Sequence, residues 1–132
     1  MTAHYMLCKV SSSFEQITQH MTKYFGSIHN EKWNSSEGKI AVILGESYYI
    51  RANSNAAIFI IIKETSPSET NLELISFAGS SGVLELSWGT HGAYVNRIKN
   101  SLEKSGFTIE VTKEIPNYNS SPINTLKPAN QK

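Results

Sequence analysis

Short apolar stretches alternate along this chain with polar, turn-rich breaks, and the spacing inside each stretch separates strand from helix. Residues 5–10 form an apolar run bounded by polar residues and too short for a helix, which predicts a first strand. After Ser11-Ser12-Ser13, the side chains Phe14, Ile17, Met21, Tyr24, Phe25 and Ile28 recur at three- and four-residue spacing. Residues 13–25 are therefore expected to be a helix with one apolar stripe. Ser12 with Glu15 and Ser13 with Gln16 form overlapping capping boxes, Gly26 suits a left-handed C-terminal cap, and His20 falls on the polar side.

Residues 29–38 are polar around Trp33 and fit either a loop or an edge strand that lays the indole over the core. Residues 39–51 alternate, with Ile40, Val42, Leu44, Tyr48 and Ile50 on one face and Ala41, Ile43, Gly45, Ser47, Tyr49 and Arg51 on the other. Gly45 there reads as a bulge or bend. A turn at 52–55 leads into 56–64, where Ile58 to Ile62 is apolar on both faces, as a central strand requires. Residues 71–78 alternate again, and 83–88 read as a further strand after Gly79-Ser80-Ser81-Gly82. Tyr94, Ile98 and Leu102, spaced by four, predict a second helix over 90–105 with Gly106 as its stop; 108–113 form a last strand.

From Pro116 the composition turns to Pro, Asn, Ser and Lys, too polar to offset its ordering entropy. Residues 1–115 are thus expected to be one domain and 116–132 a disordered tail. The order strand, helix, meander, helix predicts an α+β fold. Its antiparallel sheet has about five to six strands, with two helices packed on one face and the other left for water, a ligand or a partner.

Composition narrows the chemistry. The 132 residues fit one domain, and twelve Lys and Arg stand against eleven acids spread evenly along the chain, which leaves no basic footprint for nucleic acid. All eleven acids are Glu, so Asp-based calcium loops are excluded and any catalytic carboxylate would be a Glu. Only Arg51 and Arg97 are available to clamp phosphates. Cys8 is the single cysteine, which excludes an intramolecular disulfide or a Cys-based zinc site and fits a reducing, cytoplasmic setting. His4, His20, His29 and His91 lack metal-ligand spacing, and no run approaches the ~20 apolar residues of a membrane helix. Neither a metal, a cofactor nor a membrane is expected.

Two clusters carry candidate chemistry. Trp88-Gly89-Thr90-His91-Gly92-Ala93-Tyr94 sits where the pattern hands a strand over to a helix, so its backbone amides would attract an anion and His91 would donate a hydrogen bond or move a proton. Ordinary roles compete: Thr90 as an N-cap, the glycines in a turn, Trp88 and Tyr94 in the core. In Tyr48-Tyr49-Ile50-Arg51, one tyrosine must leave the core-facing set, and Tyr49 beside Arg51 and Trp33 would line an amphipathic groove. Ser101-Leu102-Glu103-Lys104 matches an acyl-transfer pattern by chance, because its companion motifs are missing.

The Tyr48-Tyr49-Ile50-Arg51 strand and the Ser87-Trp88-Gly89 turn into the second helix together make the chain resemble a family of small bacterial proteins of uncharacterised function. The likeness covers residues 5–107. It implies a compact α+β domain of bacterial, cytoplasmic origin and brings no catalytic residues.

Three readings follow. The first is a non-catalytic binding module that takes a small amphipathic molecule, or a protein partner, in a groove lined by Trp33, Tyr49, Arg51, Trp88, Thr90, His91 and Tyr94. The second is a small enzyme with His91 as acid or base on an anionic or carbonyl substrate, Arg51 or the helix N-terminus holding the anion. The third is a homodimer through an uncovered sheet face bearing Ala41, Ile43, Ile61 and Ile75.

Overall fold

The computed structural model describes residues 3–49, 54–78 and 84–118. In chain order its elements are β1 (Ala3–Val10), α1 (Phe14–Phe25), β2 (His29–Ser35), β3 (Gly38–Tyr49), β4 (Ser54–Ser66), β5 (Glu69–Ala78), α2 (Leu84–Lys104) and β6 (Ile109–Tyr118). The six strands form one antiparallel sheet in the order β2-β3-β4-β5-β1-β6. This is the α+β class that the pattern predicts. The first strand lies inside the sheet, between β5 and the last strand, a placement set by long-range pairing.

One face of the sheet holds the core. Met6, Cys8 and Val10 of β1, Ala41 and Ile43 of β3, Ile58, Ile60 and Ile62 of β4, and Leu72 and Leu74 of β5 lie in register across the ladders and are all buried. They form one cluster with Phe14, Ile17, Met21 and Phe25 of α1 and Tyr94, Val95, Ile98 and Leu102 of α2. Each fully buried aliphatic or aromatic side chain contributes ~1.5–3 kcal/mol, so this face is the main source of stability. The opposite face, with Leu44, Phe59, Ile61 and Ile75, is half-exposed and supplies no member of that cluster.

Helix α1 begins as expected. Ser13 is its N-cap, accepting from the Gln16 backbone N–H at 3.3 Å, and the Ser12 hydroxyl donates to Gln16 Oε1 at 2.6 Å. Glu15 takes no part in that cap, because its carboxylate is drawn to lysines of the β2–β3 hairpin. Gly26 ends the helix at φ −93°, outside the left-handed region, and its N–H bonds to the Thr22 carbonyl.

Residues 84–88 correct the sequence reading: they are helical, not a strand. Six residues with alternating apolar positions satisfy both periods, and Leu84 and Trp88 also continue the three- and four-residue series that runs on to Val95, Ile98 and Leu102. The helix therefore starts six residues before Thr90. Residues 29–35 resolve as an edge strand with every residue exposed, so Trp33 does not lie over the core. Strand β6 runs to Tyr118, three residues past the expected end of the domain; its place at the sheet edge tolerates Pro116. The remaining residues of the expected tail, 119–132, lie outside the described residues.

Gly45 marks neither a bulge nor a bend. It pairs with Ile58 in unbroken register, and a Cβ at this position would overlap the Phe25 carbonyl oxygen at the end of α1. The absent side chain lets the helix end rest on the strand. Gly45→Ala is expected to destabilise the fold by about 2 kcal/mol or more, because the obstructing atom is backbone and cannot rotate away. Urea unfolding, read as a lower midpoint at unchanged slope, checks this.

Candidate functional site

The apolar stripe of α1 contains one polar residue. Phe14, Ile17, Met21 and Phe25 are buried as the spacing demands, and Thr18 is buried with them at 7% exposure. Its hydroxyl has no hydrogen-bond partner, a state that costs ~1–3 kcal/mol in a folded protein. The edge strand explains where this hydroxyl lies. The register sets Asn30, Lys32 and Asn34 of β2 opposite Ile43, Ala41 and Lys39, so the helix side of β2 is entirely polar. Helix α1 packs over β3, β4 and β5 and stops short of β2, which has nothing apolar to bury.

The result is a groove of about 430 Å³ between α1 and the β2–β3 hairpin. Ala41 and Ile43 form an apolar floor, Thr18, Gln19, Thr22 and Lys23 line the helix wall, and Asn30, Glu31 and Lys32 line the strand wall. Glu15 lies at the helix start of the groove, 3.0 Å from Lys39 Nζ and 3.4 Å from Lys32 Nζ. The Lys39 hydrogen bond, more than that of Lys32, holds the Glu15 carboxyl below its ordinary range, and the same contact raises the Lys39 ammonium. The groove thus offers an apolar base, two carboxamides and charges of both signs, with the unpaired Thr18 hydroxyl buried in its helix wall. It can hold and orient a molecule with polar and apolar parts; it contains no nucleophile paired with a base.

A second concavity, more open and about 490 Å³, lies on the other flank of α1 beside His20, Tyr24, Ser105 and Phe107. Here the sequence reading of His20 is corrected. The residue is 9% exposed, not on a solvated face, because the end of α2 and Phe107 pack along that side of α1. Its Nε2 lies 2.9 Å from Ser101 Oγ and its ring meets Phe107 edge-on at 5.5 Å. Burial, then the nearby Lys23 charge, lowers its pKa, so the imidazole is held neutral. A Ser–His contact of this length brings a nucleophile to a base. Here both of its members are engaged in tying α1 to α2.

Two of the residues expected to form a site, Trp33 and Tyr94, lie on opposite sides of the sheet. Trp33 is 48% exposed and shares the half-exposed sheet face with its partner Ile40. Tyr94 is fully buried in the core on the other side, with its ring near Phe25 and the Arg97 guanidinium 5.0 Å above it. No single groove holds both. Trp88, Thr90 and His91 lie within α2, so the expected anion site at a helix N-terminus beginning at Thr90 is not formed. Tyr49 is the last residue of β3, paired with Ser54. The side chains of Tyr49, Trp88, Thr90 and His91, and all of Arg51, lie outside the described residues. The residues that do line a groove, Thr18, Gln19, Lys23, Asn30 and Lys32, had one legible signal: a threonine on an otherwise apolar helical stripe.

Among the described residues no three His, Cys or Glu side chains gather as metal ligands, and no helix is long and apolar enough to cross a membrane. Cys8 is buried, and burial pushes its thiol up to about 12, which leaves it unreactive. The chain belongs to a family of unknown function (DUF6054), whose family model matches residues 3–106. Comparison with curated proteins and with solved structures found no match.

The buried, neutral His20 makes stability depend on pH. Its folded-state pKa lies below the ordinary value of 6.5, so the unfolded chain binds the proton first as pH falls. Stability is therefore full above about pH 7 and declines as pH drops through about 6 towards the folded-state pKa. Urea midpoints of wild type and His20→Gln across this range are expected to differ in slope, the variant losing the decline. Parallel curves would show that His20 protonates freely in the folded state.

Proposed function

We propose that this domain is a non-catalytic binding module that takes a small amphipathic molecule in the groove between α1 and the β2–β3 hairpin. The observation that carries the reading is the Thr18 hydroxyl, buried and without a partner above the apolar floor of Ala41 and Ile43. A polar group left unsatisfied inside a concave, otherwise well-packed region is what a ligand's polar atom completes. The volume of about 430 Å³ suits a small molecule, and a concavity of this size is a poor fit to a flat protein surface, which favours the small ligand over a protein partner. Lys23 and Lys32 across the groove from each other, with Glu15 nearby, favour a ligand whose polar end is anionic or zwitterionic. A bacterial cytoplasmic setting accords with the single cysteine and the resemblance noted above.

The test is backbone amide NMR during titration with a panel of small amphipathic carboxylates and zwitterions. Shifts confined to Thr18, Gln19, Asn30 and Lys32 support the groove; a panel that moves only residues elsewhere rejects it.

Thr18→Val separates binding from folding. Replacing the unpaired hydroxyl by a methyl group of the same shape is expected to leave stability unchanged or raise it by up to about 1 kcal/mol. The same substitution is expected to weaken the best ligand about tenfold, the loss of one buried hydrogen bond. A variant that loses stability while binding normally would place the hydroxyl in the fold and not in a site.

A further inference from the structure

Beyond the groove, and independent of it, the structure bears on the half-exposed face of the sheet. Neighbours directly opposite in an antiparallel ladder share a face. The register therefore sets Glu31, Val42, Ile61, Glu73, Leu7 and Lys113 in one row across all six strands, from the β2 edge to the β6 edge. The adjacent row on one side is apolar at its centre, with Leu44, Phe59 and Ile75. On the other side Lys63 pairs with Asn71. Of the sequence-based candidates for this face, Ile61 and Ile75 do lie on it, whereas Ala41 and Ile43 lie on the buried face, because the alternation in β3 places its smaller set inward.

We propose that this face binds a second copy of the chain, sheet against sheet, about a two-fold axis that runs along the strands between β4 and β5. That operator exchanges β2 with β6, β3 with β1 and β4 with β5 while keeping each row opposite itself. Charges at the two edges are complementary under it, and at the centre Glu73, which accepts from the Tyr5 hydroxyl, comes over Ile61 of the second copy. Glu31 at one edge meets Lys113 of the second copy at the other, and the symmetry makes the same pair twice. Val42 meets Leu7, and Phe59 meets Ile75. Lys63 comes over Asn71, whose side chain is 4% exposed and whose Oδ1 has no hydrogen-bond partner in the single chain. Asn71, Lys63 and Glu73 border a small dimple of about 10 Å³, with Leu7 and Ile61 as its apolar sides, over which the lysine of the second copy comes.

Area agrees with this occupant. Six strands at ~4.8 Å spacing and three facing rows ~6.8 Å apart give roughly 600 Å² per copy, at the lower end of the ~600–1,000 Å² per partner of a standard stable interface. Aligned packing of two twisted sheets, about 30° apart, is an established geometry, and lysine side chains reach across the offset at the corners. A small ligand would cover only part of so wide a face. Two copies cover each other's.

Sedimentation velocity of the full chain over a wide concentration range tests the proposal. A dimer is expected, weakened about tenfold by Glu31→Lys or by Lys113→Glu alone, since symmetry breaks both pairs at once, and restored by the double reversal. Ile61→Glu, which sets a carboxylate against Glu73 of the second copy at a half-exposed position, is expected to give a monomer with an unchanged circular dichroism spectrum. A wild-type protein that stays monomeric at high concentration overturns the proposal. So does a dimer that the double reversal fails to rescue, or one that Ile61→Glu leaves intact.

Discussion

Strand β4 presents Ile58, Ile60 and Ile62 to the interior, and the burial of this row beneath two helices is the interaction on which the rest of the structure depends. Its neighbours follow by register: Gly45, Ile43 and Ala41 on one side, Ser76, Leu74 and Leu72 on the other, then His4, Met6 and Cys8 of β1. Helices α1 and α2 contribute their stripes to that one cluster, so strands distant in sequence are held by the same contacts. The Gly45 position, where the end of α1 touches the backbone of β3, shows how closely the layers approach.

The groove is a consequence of where that core ends. An edge strand with seven exposed residues has nothing to offer a helix, so α1 covers the sheet only as far as β3 and the hairpin stands beyond it. Thr18 then faces neither solvent nor a packed partner. A position that would hold an aliphatic residue in an ordinary core holds a hydroxyl that makes no hydrogen bond, and the polar wall of β2 lies across the gap. Stability is given up at this point of the core, beside the concavity.

The half-exposed face arises from the same strands. Because β4 is apolar on both sides, covering one face with helices leaves Phe59 and Ile61 on the other, beside Ile75 and Leu44. A central strand that reads as a continuous apolar run is suited to burial on both faces. In the single chain only one of them is buried.

Much of this was legible in the residues. Three- and four-residue spacing marked α1 and the second half of α2, two-residue alternation marked β3 and β5, a continuous apolar run marked β4, and the periods identified which side chains share a face. What remained open was whatever short windows leave degenerate. Residues 84–88 fit both periods, and only continuation into a longer amphipathic helix decided between them. His20 looked solvated because a helical wheel shows one element, while its burial comes from Phe107 and Ser101, more than eighty residues away. The site reading grouped Trp33 with Tyr94 by type, yet strand order and register place them on opposite sides of the sheet. Local periodicity, set by backbone geometry alone, determined which side chains of an element share a face, but not which face is buried: Ala41 and Ile43 of β3, expected on the uncovered face, lie in the core. Which elements meet, and which polar groups are left without partners where they meet, was decided only by long-range pairing in the folded chain.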